Sequence, residues 1–170
     1  MYDFVYATRF LDINKETGTI TPLNPLPELN SFVAGGSTFD ANGARYIVNG
    51  YDQEFVRRLF IINAENGEII SSNPLNLGNN EYLNELEYNN IDNKLYGLYR
   101  NLNTLTFEIV SVDLTDNQLT TVFSLEDLQY FVQGGSVFHQ ETQSFILYYI
   151  DNSNQSRLMV IDVLGPVSYT

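Results

Sequence analysis

The chain has no cysteine and no tryptophan, a single histidine, five prolines in 170 residues, and eight lysines and arginines against 21 aspartates and glutamates. Each shortage excludes something. Without cysteine there is no disulfide, no zinc–thiolate site and no thiol nucleophile. One histidine, His139, cannot build a multi-histidine metal centre. A net charge of −13 argues against nucleic acid, whose binding rests on a basic patch, and against anionic membrane surfaces. It leaves a cationic ligand, a metal ion or a basic partner, with plain solubility as the simplest use of the charge. No apolar run approaches the roughly 18 residues of a membrane span. Met1-Tyr2-Asp3-Phe4 has neither the basic start nor the apolar stretch of a signal peptide. There is no nucleophile elbow, P-loop or dinucleotide-binding loop.

What is present is a repeat. Ile13, Ile62, Val112 and Ile161 recur at spacings of 49, 50 and 49 residues. Each closes a similar run: Arg9–Asn14, Arg58–Asn63, Phe107–Asp113 and Arg157–Asp162. Leu26, Leu75 and Leu125 keep the same phase, two of them within Asn-Pro-Leu. Phe32-Val33-Ala34-Gly35-Gly36-Ser37-Thr38-Phe39 returns 99 residues later as Phe131-Val132-Gln133-Gly134-Gly135-Ser136-Val137-Phe138. The middle copy, Tyr82 to Tyr88, is one residue shorter and lacks the glycine pair. A fixed period of this length, built from short strands, predicts an all-β fold of propeller type, with four-stranded antiparallel blades.

Each unit reads as a glycine-pair strand, a Tyr/Ile/Leu-rich strand, a strand of the Leu59-Phe60-Ile61-Ile62 kind, and a short fourth strand. The fourth strands are expected at Thr19–Pro22, Glu68–Ser71, Gln118–Val122 and Val167–Tyr169. Asn42-Gly43 and Asn66-Gly67 predict tight turns, both residues tolerating positive φ. Asp12, Asp113 and Asp162 are expected to cap turns. Glu126-Asp127-Leu128 is expected as at most one helical turn. The third strands are apolar on both sides, as strands buried between stacked sheets must be. The chain is expected to form one domain, residues 1–170, with units at about 1–26 (partial), 32–75, 82–125 and 131–170. That amounts to about 3.5 blades, short of the four to eight of closed propellers. Completion by a second copy, giving a homodimer ring of about seven blades, or by the rest of a longer parent propeller, is favoured over closure of one chain.

Candidate site residues are few. Asp40, Asn89 and His139 share one phase, each next to the end of an inner strand, and would form part of a polar ring at one end of the propeller axis. Their simpler role is to begin a hairpin turn. Glu85 and Glu87 stand where the neighbouring units have Gly-Gly-Ser. Residues i and i+2 share a strand face, so both carboxylates are expected toward the axial channel. There they would form an acidic pair, with Ca²⁺ or Mg²⁺ as the cation that oxygen ligands suit. The default expectation is no cofactor.

The runs Phe10–Ile20 and Leu59–Ile69 resemble the blade consensus of YncE-like and quinoprotein-like propeller repeats, roughly Leu-Tyr-x-Ile-Asp-x-x-Thr-Gly-x-Ile. The resemblance implies a propeller that presents loops and a central channel. It carries no catalytic residue, and without tryptophan the docking contacts of quinoprotein blades are missing. The expected function is a non-catalytic binding or assembly module with an acidic channel, set outside a bacterial cell or in its periplasm. The alternative is a channel-sited lyase, hydrolase or lactonase using Asp40, Glu85, Glu87 and His139.

Overall fold

The computed structural model describes residues 8–164. Among them are thirteen strands and no helix. β1 (Arg9–Ile13) and β2 (Ile20–Pro25) form a two-stranded sheet. β3 (Ser31–Asp40), β4 (Arg45–Tyr51), β5 (Arg57–Asn63) and β6 (Ile69–Pro74) form the first four-stranded sheet, in chain order. β7 (Glu81–Asn89), β8 (Lys94–Asn101), β9 (Thr106–Val112) and β10 (Leu119–Leu125) form the second. β11 (Leu128–His139), β12 (Ser144–Asp151) and β13 (Ser156–Asp162) form a third sheet of three. All the pairings are antiparallel. The inner strands β3, β7 and β11 converge, β7 lying against both others and β11 also approaching β3.

The sheets stack by their faces, always in one sense. Cross-strand partners share a face, so each unit has a leading face at the Phe60/Ile62 phase and a trailing face at the Leu59/Ile61 phase. Phe10, on the trailing side of β1, packs with Phe60 and Ile62. Leu59 packs with Val110 and Val112. Ile109 packs with Met159 and Ile161. Each trailing face thus covers the leading face of the next unit. The phase-matched Leu26, Leu75 and Leu125 are all buried. Burying one such side chain contributes about 1.5–3 kcal/mol.

The two ends break this pattern. Leu11 shares its phase with Phe60, Val110 and Met159, yet is 48% exposed where those are 0%, 2% and 7%. Leu158 shares its phase with Leu59 and Ile109, yet is 63% exposed where those are 1% and 0%. Ile13 and Ile20 are exposed beside Leu11, and Val160 and Val137 beside Leu158.

Turn chemistry differs from expectation in detail. In the loops after β3, β7 and β11 the left-handed residue is Ala44 (φ 46°), Asn93 (φ 58°) and Gln143 (φ 50°), not the Asn-Gly pair. Gly43 is needed for space instead: a Cβ there would run into the Asp40 and Arg45 side chains. In the turns before the fourth strands only Gly18 (φ 70°), Gly67 (φ 75°) and Asn117 (φ 59°) are left-handed. The caps are Asn14, Asn63, Asp113 and Asp162, whose Oδ1 atoms accept from backbone N–H groups two or three residues on. Asp12 is no cap; it lies within β1 opposite Thr21. Leu128 begins β11 and joins a core cluster, so the expected helical turn at Glu126–Leu128 is replaced by a bend. The expected strand at Val167–Tyr169 lies outside the described residues.

Candidate functional site

The inner strands bulge where they meet. In β3 the register slips between Phe32 and Ser37, in β7 between Asn84 and Glu87, and in β11 between Phe131 and Ser136. A bulge needs a residue that accepts the left-handed region. Gly35 (φ 66°) and Gly134 (φ 74°) supply it in two strands. In β7 the same place is held by Glu85 (φ 50°), at a cost of about 1–2 kcal/mol for a residue with a side chain. The missing residue of the middle unit is therefore the second glycine, and Glu85 stands in for the first.

This bulge interrupts the strict alternation on which the pairing of Glu85 with Glu87 was expected. Both side chains nevertheless reach β11. Glu85 Oε1 accepts from Gly134 N at 2.9 Å. Ser136 Oγ donates to Glu87 Oε1 at 3.0 Å. Glu85 is enclosed, at 1% exposure, and lies against Gly35, whose place would admit no Cβ without striking the carboxylate. Its Oε2 is buried without a hydrogen-bond partner. Burial holds the Glu85 carboxyl above the usual carboxylate range, and the Gly134 N–H and Ser136 hydroxyl only partly pull it back. Burial raises Glu87 as well, opposed by the Ser136 hydroxyl and the Phe138 N–H and assisted by the negative charge of Glu85. Around this point Asn49 Nδ2 donates to Leu83 O at 2.6 Å and Asn84 Nδ2 to Ala34 O at 3.1 Å, tying the first two full sheets together. Among the described residues no three acidic or histidine side chains converge as a metal site would require.

Asp40, Asn89 and His139 all end inner strands, and each serves its own turn. Asp40 Oδ1 accepts from Gly43 N at 2.9 Å and its Oδ2 meets Arg45 Nε at 2.6 Å. Burial raises its pKa, but the Gly43 N–H and the Arg45 guanidinium outweigh that and leave it below the usual range. Asn89 Oδ1 accepts from Ile91 N at 3.0 Å. His139 is exposed, with Nδ1 2.8 Å from Thr142 Oγ1. Asp40, Arg45, Tyr88, Lys94 and Asp113 line an open cleft of about 950 Å³. The Arg45 charge there is already matched by Asp40.

Two devices were not expected from the sequence. Asp52 and Asp151, 99 residues apart, clasp equivalent hairpins. Each Oδ1 accepts from two backbone N–H groups of its loop, and each Oδ2 meets the arginine six residues on, Arg58 or Arg157. The spacing of 99 was a signal for the pair. The second device links neighbouring units: Asn90 Oδ1 accepts from Ala41 N at 2.7 Å, and Gln140 Oε1 from Asn90 N at 2.9 Å. Its members share a phase but differ in type, which hides them in sequence.

No family model matches the chain, and no curated protein does. Among solved structures it is similar to TolB from Acinetobacter baumannii, with a TM-score of 0.60 over 92% of this chain at 10% identity. It is also similar to a chain of the nidogen/laminin complex, with a TM-score of 0.59 over 89% at 11% identity. The chain spans 36% of the first and 52% of the second, about half or less of either. At such identity the likeness is one of fold. The architecture is a β-propeller-type repeat.

Proposed function

We propose that the chain is a non-catalytic binding and assembly module that works through the two apolar sheet faces at its ends. The observation that carries this reading is the exposure of Leu11 and Leu158 at repeat positions that are core in every unit between them. An apolar sheet face in water marks a surface for another protein. The enzyme reading is weaker. Of the carboxylates it would use, Glu85 and Glu87 are engaged with Gly134 and Ser136 of β11 and Asp40 with Gly43 and Arg45, and Glu85 is enclosed. One fold neighbour is a chain of a protein–protein complex, nidogen with laminin. An extracellular or periplasmic setting suits such a role, and kinship to YncE-like blades is supported by the two motif runs.

A chain without cysteine allows a direct test. Leu158→Cys and Ile13→Cys each introduce the only thiol. In dilute solution both should react with a maleimide at nearly the rate of the unfolded chain. Strong protection of both thiols in a species of single-chain mass would mean that the chain covers its own ends, and would overturn the reading.

A further inference from the structure

The repeat carries the assembly reading, on which this inference rests, to a polarity and a partner. Every sheet-to-sheet joint within the chain has the same sense. The trailing residues Phe10, Leu59 and Ile109 pack on the leading residues of the following unit. The two ends expose opposite members of that pair. The β1–β2 sheet offers a leading face of Leu11, Ile13 and Ile20; the β11–β13 sheet offers a trailing face of Leu158, Val160 and Val137. These are two different patches, the separate halves of a joint that the chain has already made three times.

We infer that the trailing face of β11–β13 docks on the leading face of β1–β2 of a second copy, head to tail, and that two copies close on each other. The internal joints specify the contact. Ile109, the phase-mate of Leu158, shares a cluster with Met159 and Ile161, the phase-mates of Leu11 and Ile13. Leu158 of one copy therefore belongs against Leu11 and Ile13 of the other. A like-on-like dimer would set Leu158 against Leu158, a pairing found at none of the three internal joints. A head-to-tail contact either runs on into a filament or closes. Each chain stacks four sheets, the first of only two strands, so two chains close it with eight, at the upper end of the four to eight of propeller rings.

The test uses the full chain in sedimentation equilibrium. The wild type should show twice 19.4 kDa. Leu158→Asp with Val160→Asp, and separately Leu11→Asp with Ile13→Asp, should each give the single-chain mass while keeping the far-ultraviolet spectrum of the fold. Serine at the same positions provides milder versions if an aspartate variant fails to fold. An equimolar mixture of the two variants pairs one intact trailing face with one intact leading face. It should restore the two-chain mass, with weaker affinity than wild type because the second joint stays broken. A wild-type dimer whose variants fail to complement overturns the head-to-tail joint and leaves the assembly reading intact. A wild type of single-chain mass, with reactive thiols in Ile13→Cys and Leu158→Cys, overturns the second copy as occupant and leaves a foreign partner. A ladder of masses above two chains overturns the closed ring.

Discussion

Gly35 and Gly134 share a backbone conformation and differ in surroundings, so alanine at the two positions makes a matched pair. Their φ values are 66° and 74°, and a side chain in that region costs about 1–2 kcal/mol. A methyl group at position 134 meets nothing within 4 Å. Gly134→Ala should therefore cost that conformational term alone. At position 35 the methyl would overlap Glu85 Oε1, the atom that accepts from Gly134 N. The carboxylate must move, and a hydrogen bond to a charged group is worth about 1.5–3 kcal/mol. Gly35→Ala should then cost about 2.5–5 kcal/mol. In a domain of this size each kcal/mol lowers the melting midpoint by about 2–4 °C.

Urea unfolding followed by circular dichroism suits a chain without tryptophan. A third arm isolates the cause: in a Glu85→Ala background, Gly35→Ala should cost no more than Gly134→Ala does in the wild type. The coupling between positions 35 and 85 should equal the lost hydrogen bond, about 1.5–3 kcal/mol. Equal costs for the two glycines in the wild type, or a Gly35→Ala cost unchanged by removing Glu85, would refute the placement of this carboxylate.

Two further predictions concern pH and the links between units. Glu85 and Glu87 are held above the usual carboxylate range by burial. Their contribution is fully present below the unfolded pKa of about 4.3 and is lost as pH rises through the higher folded value. Wild type should therefore lose stability relative to Glu85→Gln as pH climbs from about 4 toward neutrality. The difference matters because Asp52 and Asp151, lowered mainly by Arg58 in one case and by the Gln155 N–H with Arg157 in the other, act oppositely. They lose their contribution as pH falls through their folded values. A wild-type-minus-variant difference that is flat across this range would count against a buried acid. Asn90→Ala removes the acceptor for Ala41 N and Asn42 N. It should cost about 1–2 kcal/mol and speed amide exchange at Ala41; unchanged exchange there would show the link to be idle.

Periodicity served the fold well for a physical reason. Residues one period apart meet the same neighbours, so burial repeats with sequence, as at Leu26, Leu75 and Leu125. The same logic sets Leu11 and Leu158 apart from their buried phase-mates. Where the reading failed, side-chain contacts decided. Asn42-Gly43 carries a strong hairpin signal, yet a four-residue loop closed by Ala44 forms, with Gly43 making room for Asp40 and Arg45. Leu128 looked like part of a helical turn beside Glu126, but its place in the core cluster with Phe138 and Phe145 draws it into β11.

The carboxylate pair shows how far phase can be pressed. Anchoring the units on Phe32, Tyr82 and Phe131 puts Glu85 in register with Gly35 and Gly134. Two glycines at one phase announce a left-handed residue, so a strained glutamate was already written in the alignment. The expectation of two carboxylates facing an open channel took regular alternation instead, which a bulge abolishes. What no spacing could supply is the enclosure of Glu85. That depends on how closely β3, β7 and β11 converge, and hence on contacts between strands about 50 and 100 residues apart. The one-residue deletion connects the two. The lost residue, together with the pairing of Asn84 to Leu98, leaves β7 with two bulge residues opposite β8 where β3 and β11 have four opposite their partners. The Glu85 side chain lies in the space beside Gly35, where its neighbours have no side chain to place.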